Sequence, residues 1–376
     1  MTRSVSIASV QARVYRVPVR EPVVNMIGTM YSRPMLLVRV EDTEGGVGWG
    51  EVWCNFPTVG AEHRARLIDS VFAPLLEGRD LATPAAHFRR LSEQTWRLAV
   101  QSGEPGTVAQ CIAGLDQALT DLAARRAGQP LWRFLGGEQP RIKVYASALG
   151  PDGAAGPARE CWERGFRDFK LKVGFGAQRD RRNLAELRAA VPDAAGIMVD
   201  ANQAWTAEAA GPAIDALAEF RLTWMEEPIF ADRPLDEWRA LARRSPVPLA
   251  GGENVRGERD FAALVDSATV AFVQPDIGKW GGCTGGLAIG RAALAAGQAF
   301  CPHWLGGGVG LLASMHVLAA VGGPGYAEVD ANPNPLRERM PLPPVADGHC
   351  LLAQAPGLGQ DPEREFLPAL EEYRVI

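Results

Sequence analysis

The chain has 376 residues, 39 Lys and Arg against 44 Asp and Glu for a formal net charge of −5, with 47% hydrophobic and 22% charged residues. This is ordinary globular composition, which excludes a disordered or fibrous chain, and the mild acidity without any cluster of Lys and Arg argues against a nucleic-acid partner. No stretch holds about 18 uninterrupted apolar residues, and Met1 to Arg20 alternates apolar with polar residues. No membrane partner and no export are therefore expected, and a cytoplasmic location fits. Six dispersed cysteines (Cys54, Cys111, Cys161, Cys283, Cys301, Cys350) read as reduced, buried hydrophobes.

In chain order, the first elements read as strands: near Ile7 to Val17, Met35 to Val40 and Val47 to Val52, the last two joined by Asp42-Thr43-Glu44-Gly45-Gly46. This is an antiparallel meander. Between its first two strands, Val19 to Arg33 runs about 15 residues without clear periodicity, long for a hairpin connection, and is expected to be a functional flap. From about residue 58 to 128 the pattern turns helical, with Ile112, Leu115, Leu119 and Leu122 on one face and Gly128 then Pro130 as stop signals. Strands followed by helices predict an N-terminal α+β unit over residues 1–130.

Beyond Lys143 short apolar strands alternate with amphipathic helices: Val144–Ser147, Phe169–Val173, Ile197–Ala201, Thr223–Glu227, Leu249–Glu253, Phe272–Asp276, Phe300–Trp304 and Ala327–Asp330. Eight strands and seven helical connections predict a TIM-type α/β barrel over residues 131–330. The Pro-rich chain after Asp330 offers no eighth helix, so the barrel is expected to close without one, and residues 331–376 to pack back on the N-terminal unit.

Lys172, Asp200, Glu226, Glu253, Asp276, His303 and Glu328 fall at the ends of successive strands, 23 to 28 residues apart, about one βα unit each. A solvent-facing charge or a helix cap accounts for any one of them. Seven in phase point to the barrel mouth, where barrel enzymes carry their chemistry. Three carboxylates around one point (Asp200, Glu226, Glu253) repel unless a cation neutralises them, and all-oxygen ligation favours Mg2+, with Mn2+ as the close substitute. A competing reading keeps Glu226 or Glu227 as a salt-bridge acid on the rim. Lys170 and Lys172, two apart on a strand, face the same side, and each lowers the other's proton affinity, which suits a base near neutral pH. Asp276 and His303 end neighbouring strands, so the carboxylate can fix the imidazole tautomer and supply a second acid/base. His316, beside Met315 and Val317 in an apolar helix, reads as a core group. The run Leu305-Gly306-Gly307-Gly308-Val309-Gly310 reads either as an anion cradle at a helix start or as a tight loop beside the mouth.

Together these residues resemble the enolase superfamily, mandelate racemase subgroup (the mandelate racemase/muconate lactonizing enzyme family). The matching motifs are Lys170-Leu171-Lys172, Val199-Asp200-Ala201-Asn202, Met225-Glu226-Glu227-Pro228, Gly252-Glu253-Asn254, Pro275-Asp276 through Gly281-Gly282, His303 and Glu328, and Leu115 to Gly137 resembles the family's junction between two domains. The resemblance implies a modified (β/α)7β barrel with an N-terminal α+β capping domain completed by the C-terminal segment. It also implies Mg2+ on Asp200, Glu226 and Glu253, and removal of the proton α to a substrate carboxylate through an enediolate. Lys172 would be the base on one face and His303, paired with Asp276, the acid/base on the other. Lys170 would bind the carboxylate and depress Lys172, and Glu328 would hydrogen-bond a carboxylate oxygen. A symmetric homo-oligomer and a small-molecule carboxylic acid substrate follow from the same likeness.

The flap and Trp53-Cys54-Asn55 are expected to close the pocket, with Asn25, Arg33, Asn55 and Asn202 as substrate-binding residues. The leading expectation is dehydration of an acid sugar or related α-hydroxy acid to a 2-keto acid. Racemisation or epimerisation of a 2-hydroxy acid comes second. From another class, the alternative is a catalytically inactive metal-binding barrel.

Overall fold

Strand β1 (Ile7–Asn25) is longer than its apolar alternation suggests. It pairs with β2 (Gly28–Asp42) from Ile7↔Asp42 to Pro18↔Ser32, shifts register, and resumes at Val23↔Met30. The segment expected as an aperiodic flap is thus the outer half of a β-hairpin. Pro18 and Pro22 bracket the shift; neither can donate to the ladder, and this interruption hides the alternation. The computed structural model describes residues 5–25 and 28–376, so Met26 and Ile27 of the flap lie outside the described residues, as does the side chain of Asn25. Strand β3 (Val47–Val52) pairs with β2 after a turn in which Asp42 Oδ1 accepts the Glu44 and Gly46 amides at 2.8 and 2.9 Å.

Strand β2 is buried on both faces: Leu36, Val38 and Val40 pack with the capping helices, Met35 and Leu37 with the barrel. The capping helices are α1 (Gly60–Leu67), α2 (Pro84–Ser102) and α3 (Pro105–Arg126). Helix α3 sets Ile112, Leu115, Leu119 and Leu122 in the same cluster as the sheet. Asp116, Gln117, Thr120 and Asp121 on α3 are buried too, which makes α3 a wedge between cap and barrel. Gly128, at φ 64°, turns the chain out of it.

Among the described residues eight strands then form the barrel: β4 (Arg141–Leu149), β5 (Asp168–Lys172), β6 (Gly196–Asp200), β7 (Leu222–Glu226), β8 (Leu249–Gly251), β9 (Phe272–Val273), β10 (Ala299–Phe300) and β11 (Tyr326–Asp330). Seven helices connect them: α4 (Ala155–Glu163), α5 (Ala177–Ala190), α6 (Ala207–Leu217), α7 (Leu235–Arg244), α8 (Glu258–Ser267), α9 (Gly282–Ala295) and α10 (Gly308–Val321). The strands pair in parallel from β10 through β4 in chain order, and β4 then pairs with β11. At the remaining junction, between β10 and β11, the Tyr326 amide donates to Cys301 Sγ at 3.4 Å. Among the described residues no long helix follows β11. Instead β12 (Val345–Ala346) and β13 (His349–Leu351) add antiparallel to the base of β4, and the Val375 amide donates to the Val14 carbonyl of the capping sheet at 2.7 Å. Glu363 pairs with Arg13 and Arg39 of that sheet at 2.7 and 3.3 Å.

Inside the barrel Tyr145, Met198, Trp224 and Ala250 form an apolar floor, with the Tyr145 and Trp224 rings edge to face at 5.3 Å. All six cysteines are free and buried. Among the described residues no helix is long and apolar enough to cross a membrane.

Candidate active site

Lys172, Asp200 and Glu226 stand side by side because β5, β6 and β7 pair Lys172↔Asp200 and Asp200↔Glu226. Strand alternation on β5 sends Lys170 and Lys172 inward and Phe169 and Leu171 into the core shared with the helices. Lys170, 1% exposed, donates to both Glu226 oxygens at 2.7 and 2.8 Å, and its Nζ lies 2.9 Å from Glu328 and 3.9 Å from Asp200. Lys172 donates to Asp200 Oδ2 at 2.5 Å and Asn202 Oδ1 at 2.8 Å. Glu226 also accepts from Trp224 Nε1 at 3.1 Å and Gln274 Nε2 at 2.7 Å. Burial works against both ammonium groups, yet the carboxylates outweigh it and hold both lysines above their ordinary value. In this arrangement Lys172 is raised rather than depressed: Asp200 holds its proton most strongly, Lys170 opposes it, and Glu226 adds to the pull of Asp200.

Across the mouth, Asp276 and His303 form a bridge beyond the ends of β9 and β10. His303 Nδ1 lies 2.7 Å from Asp276 Oδ2, and Nε2 lies 2.5 Å from Glu253 and 3.7 Å from Glu328. Asp276 Oδ1 accepts the Gly278 and Lys279 amides at 2.8 and 3.0 Å, which fixes the carboxylate that orients the ring. Burial disfavours the imidazolium, but Glu253, Glu328 and Asp276 raise His303 well above its ordinary value. Burial likewise works against the Glu253 charge, and His303 and Lys279 hold it well below the carboxylate range. Glu328 accepts from the Ser147 hydroxyl and from the Trp304 amide at 3.2 Å. Against the cost of burial, Lys170 and His303 hold Glu328 below its ordinary value.

Each of the three acids expected to hold a metal is turned to a cationic side chain: Asp200 to Lys172, Glu226 to Lys170, Glu253 to His303. Among the described residues no three His, Cys, Asp or Glu are grouped so as to hold an ion. The donor chemistry and the charge nevertheless fit one. The linked cluster holds six carboxylates (Asp200, Glu226, Glu227, Glu253, Asp276, Glu328) and four cationic groups (Lys170, Lys172, Lys279, imidazolium His303). With all six acids ionised two negative charges are left over, which one divalent ion on hard oxygen ligands would balance. The surplus shows in the acids themselves. Burial, then Asp200, push Glu226 up to about 7 against the pull of Lys170. Burial, Glu253 and Asp200 push Glu227 up to about 8.

Glu227 and Lys279 are members of this cluster that sequence reasoning left out of the site. Asn254 Nδ2 bridges Glu227, at 2.9 and 3.0 Å, to Glu253 at 3.0 Å, and Lys279 reaches Asn254 Oδ1 at 3.1 Å and Glu253 at 3.5 Å. Glu227 sits at φ 38°, so strand alternation does not apply to it; Asn202 (φ 42°) and Gln203 (φ 65°) border the mouth in the same left-handed region. Beside the mouth a cavity of about 1240 Å3 runs between α2, α3 and the loops after β7 and β8; Glu227 and Asn254 line it, whereas Lys172 and His303 do not.

Of the residues expected to bind substrate, Arg33, Asn55 and Asn202 each have protein partners. Arg33, 1% exposed, donates to Asp330 Oδ2 at 2.6 Å, and Arg337 reaches the same oxygen at 3.1 Å. Asn55 Nδ2 donates to the Leu305 carbonyl at 2.5 Å. Asn202 donates its backbone N–H and Nδ2 to Asp200 at 2.7 and 3.1 Å. The glycine-rich run is not an open anion cradle: the Glu51 carboxylate of β3 accepts its Gly307 and Gly310 amides at 2.5 and 2.9 Å. His316 is fully buried, accepts the Trp132 amide on Nδ1 at 3.0 Å, and is pushed by burial down to about 4, in keeping with a core role.

Residues 8–136 match the mandelate racemase / muconate lactonizing enzyme N-terminal domain, and residues 154–366 the enolase C-terminal domain-like family. The chain is 30% identical to a 3,6-anhydro-alpha-L-galactonate cycloisomerase of Streptomyces coelicolor, over 94% of this chain and 96% of that protein. It is 28% identical to an arabinonate dehydratase of Saccharolobus solfataricus, over 87% and 88% respectively. Among solved structures, a mandelate racemase/muconate lactonizing enzyme from Bordetella bronchiseptica RB50 superposes with a TM-score of 0.92 at 48% identity, covering 98% of this chain and 99% of that one. A racemase from Streptomyces coelicolor with bound magnesium superposes at 0.88 with 28% identity, covering 98% and 100%. The chain belongs to the mandelate racemase/muconate lactonizing enzyme family of the enolase superfamily.

Proposed function

We propose that this protein is a Mg2+-dependent enzyme that removes the proton α to the carboxylate of a sugar acid or related 2-hydroxy acid and expels a β-hydroxyl, giving a 2-keto acid. One observation carries the reading. Lys172 and His303, the latter paired with Asp276, face one mouth from strands three places apart around the barrel in one direction and five in the other, with the over-charged carboxylate cluster between them. Asp200, Glu226 and Glu253 would hold the ion. When bound, it would supply positive charge to offset the second negative charge that builds on the substrate carboxylate.

The side chains do the rest. Lys170, already poised between Glu226 and Glu328, offers its ammonium to the carboxylate. Lys172 is a base only once Asp200 ceases to be its counter-ion; Lys170 then works against its proton. Lys172 takes the α-proton, and the electron pair left on the α-carbon expels the β-oxygen as His303 hands that oxygen its proton. The products are water and an enol that becomes the 2-keto acid. A protonated His303 suits this step, because Glu253, Glu328 and Asp276 keep it charged against burial.

The sugar-acid class is supported by two relatives whose names carry galactonate and arabinonate. Racemisation is the second reading, favoured by the two-sided arrangement itself and by the magnesium-bound racemase among the structural neighbours: the same enediolate would take a proton from His303 on its other face. To separate them, the protein is incubated with Mg2+ and a panel of mono- and diacid sugars and simple 2-hydroxy acids, following 2-keto acid and optical rotation. Keto acid from at least one acid sugar is the expected result. Loss of rotation with no keto acid from any substrate would move the reading to a racemase, and no keto acid, no rotation change and no α-proton exchange would overturn both.

A further inference from the structure

Glu51 ends the Trp49-Gly50-Glu51 stretch of β3 in the capping domain, and its side chain is 1% exposed. Its carboxylate crosses to the barrel, where it accepts the Gly307 amide at 2.5 Å and the Gly310 amide at 2.9 Å, at the start of α10. The packing there is close: a Cβ at Gly307 would stand 2.5 Å from Met35 Sδ and 2.7 Å from Glu51 Oε1, so any larger residue would displace one or both side chains. Asn55, from the same domain, holds the carbonyl of Leu305. Two capping side chains thus grip the segment that follows directly on His303.

That segment is tied to the site at its other end. The Trp304 amide holds Glu328 Oε2 at 3.2 Å, and its indole donates to the Gly307 carbonyl at 2.9 Å. Gln117 of α3 accepts the Glu51 amide at 3.2 Å and donates to the carbonyls of Glu51 and of Ile277, the neighbour of Asp276, at 3.1 and 3.2 Å. Lys172, by contrast, is held by Asp200 and Asn202, both from the barrel.

We propose that Glu51 is a positioning residue that sets the His303 side of the mouth from the capping domain and leaves the Lys172 side untouched. The inference rests on the reading of Lys172 and His303 as proton-transfer groups on opposite faces. It gives the glycine-rich run a purpose: a seat for an internal carboxylate.

The test pairs Glu51→Gln with Asn55→Ala. Glutamine keeps the shape but turns an NH2 group toward one of the two backbone N–H groups. Amide hydrogen exchange of residues 305–310, measured by mass spectrometry on metal-free and Mg2+-loaded protein, should accelerate in both variants while α9 stays protected. In D2O, with the acid sugar turned over in the screen above and its 2-epimer, α-proton exchange on the His303 face should fall on the order of tenfold to a hundredfold, as a small misplacement of an acid/base group entails. Exchange on the Lys172 face should hold within about twofold. Equal loss on both faces, or unchanged amide exchange over 305–310 in a folded variant, overturns the proposal. If Glu51→Gln does not fold, Asn55→Ala decides on the same criteria. If the wild-type protein exchanges neither epimer, the functional reading fails, and the amide measurement still decides whether Glu51 and Asn55 hold the loop.

Discussion

Lys170 is the most deeply buried cation of the site, 1% exposed and placed between Glu226 and Glu328 at 2.7 and 2.9 Å. Removing it leaves two buried carboxylates short of a partner, and breaking buried pairs from one side costs about 3–5 kcal/mol. Lys170→Met should therefore lower stability by about that amount in denaturant titration as well as abolishing turnover; a loss under about 1 kcal/mol would show that the pair is not buried as described. His303→Asn should block the overall reaction yet leave Lys172 able to exchange the α-proton of one stereoisomer. Loss of exchange for both, followed by proton NMR in D2O, would make His303 a structural or substrate-holding group. The strand-end residues were legible from spacing alone, since a polar group that recurs once per βα unit has few reasons to do so except a shared mouth. Glu227 and Lys279 were not. Glu227 leaves the strand at φ 38°, and Lys279 stands three residues beyond Asp276 in a loop, so neither carries a periodic signal.

At the scale of elements, the joint between the two domains uses acids of the cap to close helix starts of the barrel. Glu51 serves α10, and Asp116 of α3 serves α9 by accepting the Thr284 amide at 2.8 Å and its hydroxyl at 2.6 Å. A helix read by period would put Asp116, Gln117 and Asp121 in solvent. They are buried because a second body covers that face, and single-element patterning cannot foresee a second body. Burial pushes Asp116 up to about 7, with the Thr284 hydroxyl and amide opposing, from an ordinary 3.8. The folded state then binds its proton more tightly than the unfolded chain, so the contribution is present below about pH 4 and is lost as pH rises through about 7. Asp116→Asn should erase this dependence: between pH 5 and 8 the wild type should lose on the order of 2 kcal/mol more stability than the variant. Parallel pH dependence of the two proteins in urea unfolding would contradict the assignment.

For the molecule as a whole, the barrel was readable because eight similar units repeat, whereas the β1–β2 pairing beyond Tyr15 was obscured by Pro18 and Pro22 at its register shift. Arg33, Asn55 and Asn202 are polar groups in nearly closed surroundings, and each has a protein partner, as buried polar groups do. What unifies the site is its charge, six carboxylates against four cations, and the proposed dependence on a divalent ion rests on that surplus. EDTA should abolish activity and Mg2+ restore it, and Glu226→Gln should weaken Mg2+ binding and turnover together in calorimetry and rate assays. The proposed removal of an α-proton by Lys172 and His303 at this mouth is read out by solvent deuterium incorporation at the α-carbon of acid sugars and 2-hydroxy acids, by mass spectrometry, with Mg2+ and with EDTA. Incorporation is expected with Mg2+, with none under EDTA and none in a Lys172→Met, His303→Asn double variant; incorporation at the wild-type rate in that double variant would show that other groups move the proton.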